Sequence, residues 1–564
     1  MKFNKSILAI AGASLLAFSS CIEETFPQDS YATSEQVGAS SAALMSSVRG
    51  IPSQMAQGYL VYGSQTHETD MGYPAYMIAQ TELLGDMYPE GSNSGYDWYR
   101  TYNTMSSPMG DKSYFSYLPW FTFYKFVKTA NDVISTVDID DETIGDDVKG
   151  LAGVGYASRA FQYYMLTVLF SAVENPYTDC GKMLKSDKVV EAYGRQVKLS
   201  ELTVPKVTES TDRETAKNNP RLLKDDMKAF ILSDLDKAAR CLKNYTPETK
   251  TLPNLAVVYG IRAKVCAWFE DYAQAELYAD SAIVEAQKAG ASPVTASQWD
   301  NPTTGFCVAN QAWMWYLHYD SENMGNLCNF TGWMSGEADW GYSSLTNPAI
   351  DKSLFDAMGA NDIRRSTFID PACEDRAKTY KTSRDAAWLD EMPAYLSLKF
   401  RCKEGNYTDY AVGGAVDVPV MRIEEMYFIK FEAMAMNGKL GEAVSALNDF
   451  MRENRDPDYA CKATDAREFQ LEVLKQMRIE FWGEGNAFPV AKRIKPGVMQ
   501  NYSGTNAPAN IFKINCAVIK PNWNLVIPEY ETEANQILQK SNNPDPTQAV
   551  QGPCEVGVYA PGTY

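Results

Sequence analysis

The stretch from Met421 to Arg493 constrains the fold more than any other. Met421, Met426, Ile429, Ala433 and Met436 recur at helical spacing, and Gly438 follows as a C-terminal stop. Leu440, Ala443, Leu447 and Phe450 begin a second apolar stripe of the same period. Two amphipathic helices joined by so short a turn lie antiparallel, and the small side chains of Ala433 and Ala443 permit close approach. That is the geometry of a tetratricopeptide hairpin. A third helix is expected over Phe469 to Trp482, and Gly483-Glu484-Gly485 then forces a turn.

Similar signals recur upstream. Trp120, Tyr124, Val127, Asn131 and Ile134 share one helical face. Leu151 to Val173 reads as a long helix and Asp225 to Leu242 as another. Leu255 to Ala289 reads as a hairpin whose Tyr272, Ala275, Ala279 and Ala282 repeat the spacing of Leu440, Ala443, Leu447 and Phe450. Residues 174–220 and the tail from Asn501 are irregular and polar. Asp138 to Asp147 is acidic, but Thr143 stands where a calcium-binding loop of the EF-hand type needs Gly, so a solvated loop is expected. Ala312 to Tyr319 alternates like a short strand.

The expected fold class is mainly α. A tetratricopeptide-like helical-hairpin scaffold carries an inserted loop-rich subdomain containing short strands. Residues 1–20 read as a lipoprotein signal peptide and 21–40 as a lipid-anchored tether. Residues 41–290 form the N-terminal scaffold with an aromatic loop at 87–118, and 291–415 form the insertion. Residues 416–564 hold the C-terminal hairpin, the capping helix and the tail.

The signal reading rests on Lys2 and Lys5, the short apolar run Ile7 to Phe18, small Ser19 and Ser20, and then Cys21. Cys21 is the expected lipidated residue, and several acyl chains would hold the protein to a membrane. Glu23 and Glu24 resemble the acidic signal that sends such lipoproteins to the cell surface. A net charge of −19 argues against nucleic acid and anionic lipid head groups as partners. The cysteines beyond Cys21 are scattered, so disulfides and free buried thiols both stay open. Two histidines, His67 and His318, with no clustered ligands argue against zinc, and no cofactor is expected.

Two motifs carry a family resemblance. Arg422, Glu425, Met426, Tyr427, Glu432, Ala433, Gly438, Ala443, Leu447 and Asn448 match a pattern of the type RxxEMYxxxAEAxAxxGxxxxAxxxLN. Arg478, Glu480, Glu484, Gly485, Phe488, Lys492 and Arg493 match a following ERxxExxxEGxxFxDxKR, with Met477 and Val490 departing from it. In these motifs the chain resembles the RagB/SusD family of Bacteroidetes outer-surface nutrient-binding lipoproteins. Asp70 to Asp86, the long helix, Asn347 to Arg364 and the Trp523 to Asn535 segment extend the likeness over nearly the whole mature chain. The resemblance implies a surface glycan-binding lipoprotein of the outer membrane. It would deliver its ligand to a SusC-like TonB-dependent transporter. Peptide capture of the RagB type is the alternative, and an adhesin without a nutrient ligand is a third reading.

Candidate ligand residues follow from chemistry. A sugar offers C–H faces and a rim of hydroxyls, and Tyr and Trp offer a flat apolar face with a polar tip. Rings on loops held by a rigid scaffold suit a shallow surface site. Two stretches qualify. Tyr96 and Trp98, with Tyr99 and Tyr102, lie among turn-forming residues. Trp333, Trp340 and Tyr342 ride on a segment punctuated by Gly332, Gly336 and Gly341. Asp86, Asn93, Asp97 and Asp339 could supply hydrogen bonds. No pair of carboxylates stands out for glycoside hydrolysis, and no GxSxG, HExxH or P-loop occurs, so no catalysis is expected.

Overall fold

The computed structural model describes residues 41–57, 71–91, 109–174, 188–325, 327, 329–508, 512–516 and 518–546. Its helices stack in a continuous array. Helix α1 (Ser41–Ala56) packs on α3 (Tyr114–Ile134) and α4 (Asp146–Phe170), with α2 (Tyr73–Leu84) preceding them in sequence at the core. Then α4 packs on α5 (Lys224–Leu242), α5 on α6 (Leu255–Trp268), and α6 on α7 (Tyr272–Lys288). Next comes α9 (Ile423–Met436), reached across the whole 290–415 insertion, which holds the short helix α8 (Phe330–Met334). Helices α10 (Leu440–Asn454) and α11 (Ala466–Glu480) pack on α9, and α12 (Ala487–Ile494) follows. The fold is mainly α with short two-stranded sheets, as the periodicity predicts.

Local chemistry places these helices. Ser113 Oγ accepts from Phe115 N at 3.1 Å and starts α3, and Asp465 Oδ1 accepts from Glu468 N at 2.8 Å and starts α11. Gly438, at φ 83°, ends α9 with two backbone bonds, Gly438 N to Ala435 O at 3.0 Å and Lys439 N to Met434 O at 3.0 Å. That left-handed stop reverses the chain into α10. Ala275, Ala279 and Ala282 of α7 are fully buried, whereas Leu277 and Val284 on the opposite face are about half exposed. The small stripe, not the larger aliphatics, faces the neighbouring helices. Helix α4 is buried from Gly150 to Phe170 and forms the central rod. A Cβ at Gly153 would stand 2.7 Å from Cys241 Cβ, so the α4–α5 approach needs glycine there.

Several elements differ from the expectation. Met421 belongs to strand β8 (Asp417–Arg422), which pairs antiparallel with β6 (Trp313–His318). Pairing with β6 outweighs the helical spacing there: the strand is buried continuously from Val418 to Arg422, and α9 starts one residue after Arg422. Residues 174–220 hold two small sheets, β2 (Val189–Ala192) with β3 (Arg195–Lys198), and β4 (Leu202–Pro205) with β5 (Arg221–Leu223). The stretch 87–118 opens with strand β1 (Met87–Gly91) and closes inside α3. Short strands leave too few residues for a period to register.

The motif residues gather in a buried ionic knot. Arg422 binds Glu484 through Nε at 2.8 Å, and its Nη1 lies 3.1 Å from both Glu480 and Glu424. Arg455 pairs with Glu424 at 3.0 Å and Glu480 at 2.8 Å, and Arg364 pairs with Asp362 at 2.7 Å. Lys399 Nζ lies 2.6 Å from Glu484 and donates to the carbonyls of Glu480 and Trp482. All these side chains are essentially buried. Burial alone would push the Glu480 carboxyl up, but Arg455, Arg422 and Arg364 outweigh it and hold it well below the usual range. The signature is therefore architectural: it joins β8, α9, α10 and the turn after α11.

Candidate functional site

Strand β1 pairs antiparallel with β7 (Thr346–Ile350), in register from Met87↔Ile350 to Gly91↔Thr346. At the Gly91 end, Thr346 Oγ1 donates to Tyr342 O at 3.1 Å and Asn347 Nδ2 donates to Ser343 O at 2.7 Å. Gly91, beyond which the sequence leads to Tyr96 and Trp98, is thus fixed beside the segment that carries Tyr342. Sequence separation hid this convergence, which a two-stranded ladder creates. Tyr96 and Trp98 lie outside the described residues, as do Cys21, Asn93, Asp97, Tyr99, Tyr102 and His67.

At the other end of the ladder, Asp86 is 1% exposed. Its Oδ1 accepts from Arg478 Nε at 2.9 Å and Nη2 at 2.6 Å, and its carbonyl accepts from Trp482 Nε1 at 2.8 Å. Burial pushes the Asp86 carboxyl up, and Arg478 opposes that. The expected ligand hydrogen bond from Asp86 gives way to a buried pair that fastens α11 to the start of β1. Proximity in sequence did not reveal that the partner would come from Arg478.

Trp333 sits on α8, whose first turn is capped by Asn329 Oδ1 accepting from Gly332 N at 2.8 Å. Gly332 therefore lies within a short helix and not in a turn. The Trp333 ring is 7% exposed, with its centroid 4.3 Å from that of Tyr342 at an interplanar angle of 34°. Trp340, 6% exposed, packs with Ala338, Cys402 and the half-buried Tyr407. These rings are set into crevices, not laid open on turns, because the glycines between them admit neighbouring backbone. Gly413 is one such neighbour, where a Cβ would stand 2.6 Å from Trp340 Cη2.

Half-exposed rings occur instead next to this segment. The guanidinium of Arg384 lies 5.0 Å from the Trp388 ring centroid and 4.5 Å from that of Tyr407. Tyr410, close by in sequence, is 39% exposed. Trp388 is one of six tryptophans in the insertion, and nothing in the sequence paired it with Tyr407. His318 ends β6, and its Nδ1 is 2.7 Å from Asp417 Oδ1, a clamp across the β6–β8 pair. Among the described residues no group of three or more His, Cys, Asp or Glu side chains is placed to hold a metal ion, and no helix is long and apolar enough to cross a membrane.

The array of hairpins with a strand-bearing insertion defines the class: a SusD-like helical fold. Residues 67–266 match the family model SusD-like_3, described as starch-binding associating with outer membrane. Among solved structures, a SusD-like carbohydrate binding protein from Bacteroides vulgatus superimposes with a TM-score of 0.66 at 18% identity, covering 89% of this chain and 98% of that one. A SusD superfamily protein from Bacteroides thetaiotaomicron gives 0.64 at 19% identity, covering 90% and 100%. Surface glycan-binding protein A from the same organism gives 0.59 at 13% identity, covering 89% and 98%. No curated protein matches the sequence. Likeness at these identities establishes the fold. The fold is therefore SusD-like, and residues 67–266 in addition match that family's model.

Proposed function

We propose that the protein is a lipid-anchored, cell-surface glycan-binding protein of the outer membrane. It captures polysaccharide or oligosaccharide, without breaking bonds, and passes it to a SusC-like TonB-dependent transporter. The observation that supports this reading is the β1–β7 ladder, which sets Gly91 beside the segment that carries the Trp333–Tyr342 pair. The family's description as starch-binding and outer-membrane-associated supports the same conclusion. In this reading Trp98 and Tyr96 meet the ligand, the buried Trp333, Tyr342 and Trp340 stiffen the insertion, and Cys21 carries the acyl anchor. The helical array of 41–290 and 416–564 acts as the rigid frame for the 291–415 insertion.

Affinity gel electrophoresis of the whole mature protein against a panel of polysaccharides tests this. Retardation by at least one glycan, weakened in Trp98→Ala or Trp333→Ala, is expected. Absence of retardation on every glycan, together with binding to a peptide digest, would replace it with peptide capture.

A further inference from the structure

A cleft of about 360 Å³ opens in the insertion, lined by Pro302, Ala377, Tyr380, Lys381, Thr382, Arg384, Ala386 and Leu389. That size is in the range of small-ligand sites, about 300–1,000 Å³. Its walls carry two cations, Lys381 and Arg384, and no carboxylate. The contrast within this molecule is informative, because acidic residues outnumber basic ones 71 to 52. Two other clefts do carry carboxylates in their walls, Glu248 in one and Glu174, Asp225 and Glu270 in another.

Arg384 is held in place rather than neutralised. The rings of Trp388 and Tyr407 flank its guanidinium, and Nη1 donates to the backbone carbonyl of Glu337 at 2.9 Å. Among the described residues its Nε and Nη2 make no ion pair and no hydrogen bond. Rings on its faces keep the charge and leave the edge of the fork as its reactive side. Lys381 reaches Asp300 at 2.8 Å and remains more than half exposed. Thr382 adds a hydroxyl, though it donates to Glu337 Oε1 at 2.6 Å. A planar fork of donors with one edge uncommitted matches a carboxylate or sulfate oxygen pair.

We propose that this cleft recognises an anionic substituent, a carboxylate or a sulfate ester, on a sugar residue of the captured glycan. The inference rests on the glycan-capture reading and names the substrate class. The chain's net charge of −19 sharpens it. A continuous polyanion is repelled by the field of the whole protein, whereas an isolated acidic residue on a neutral backbone meets only the local cations. The ligand class is therefore a sparsely charged glycan.

Isothermal titration of the whole mature protein with glucuronoxylan, neutral arabinoxylan and polygalacturonate tests this, and κ-carrageenan against agarose forms the sulfate arm. The expected order is the sparsely charged glycan first, then its neutral counterpart, with polygalacturonate weakest. Arg384→Gln should weaken glucuronoxylan or κ-carrageenan binding by roughly tenfold and leave neutral binding unchanged. Arg384→Lys keeps the charge without the fork and should recover only part of it. Lys381→Gln should give a smaller loss, and it serves as the second probe if Arg384→Gln melts below the parent. Equal affinity for charged and neutral glycans, or a charge preference intact in both variants, overturns the inference while glycan capture stands. Binding of free glucuronate that Arg384→Gln abolishes, with no polysaccharide bound, supports the cleft and overturns glycan capture.

Discussion

Arg422 and Glu484 form a bidentate pair, Nε to Oε2 at 2.8 Å and Nη2 to Oε1 at 3.0 Å, with both side chains essentially out of solvent. One comes from the end of β8 and the other from the turn after α11, so the pair locks the two motifs together. Removing one partner of a buried pair strands the other charge and typically costs about 3–5 kcal/mol. Glu484→Gln should therefore lower the unfolding free energy by roughly that amount in urea titration. A loss below about 1 kcal/mol would show that the knot reorganises around the gap.

Lys399 makes stability depend on alkaline pH. Burial pushes its ammonium from the ordinary 10.5 down to about 8, with Glu484 opposing part of the shift. Between those values the folded chain has released a proton that the unfolded chain still holds. The unfolded state binds more protons there, so this group makes stability rise with pH across the window, and below about 8 the full penalty of the buried charge applies. Lys399→Met removes the term. The stability of the parent relative to the variant should climb as pH rises from about 8 to about 10, measured by urea titration at several pH values. A flat difference would contradict the buried-charge account.

The two faces of α7 should respond oppositely to size. Ala279 is fully buried toward the neighbouring helices, so Ala279→Leu forces side chains off their rotamers and should cost about 1–3 kcal/mol. Leu277 is 53% exposed, and Leu277→Ala should stay within about 0.5 kcal/mol of the parent. Thermal denaturation of the two variants side by side tests the assigned orientation.

Two glycine stops should differ in cost. Gly438 has φ 83° with nothing within 4 Å of a built Cβ, so Gly438→Ala meets only backbone strain of about 1–2 kcal/mol. Gly483, at φ 79°, would bring a Cβ to 2.4 Å from the Phe400 ring. Gly483→Ala should therefore be the more destabilising of the two when their urea midpoints are compared. Equal midpoints would mean that the ring yields.

The helices were legible because their apolar period is long and their stops are chemical. Gly438 ends α9 wherever it is read, and Ala275, Ala279 and Ala282 announce a closely packed face. The short strands were not legible. Met421 fits a helical stripe in the sequence, and only pairing with Trp315 across the β6–β8 ladder puts it in a strand.

Sequence by itself determined the mainly helical class and its hairpins, since periodicity, caps and motif spacing are local properties of the chain. Tertiary structure alone decided the charges and rings. Asp86 is claimed by Arg478, the Trp333–Tyr342 pair is sunk into a crevice, and Arg384 lies over the Trp388 and Tyr407 rings with one edge uncommitted. Whether a polar group or an aromatic face is spent inside the fold or kept for a ligand depends on which distant residue arrives beside it. No local pattern encodes that arrival.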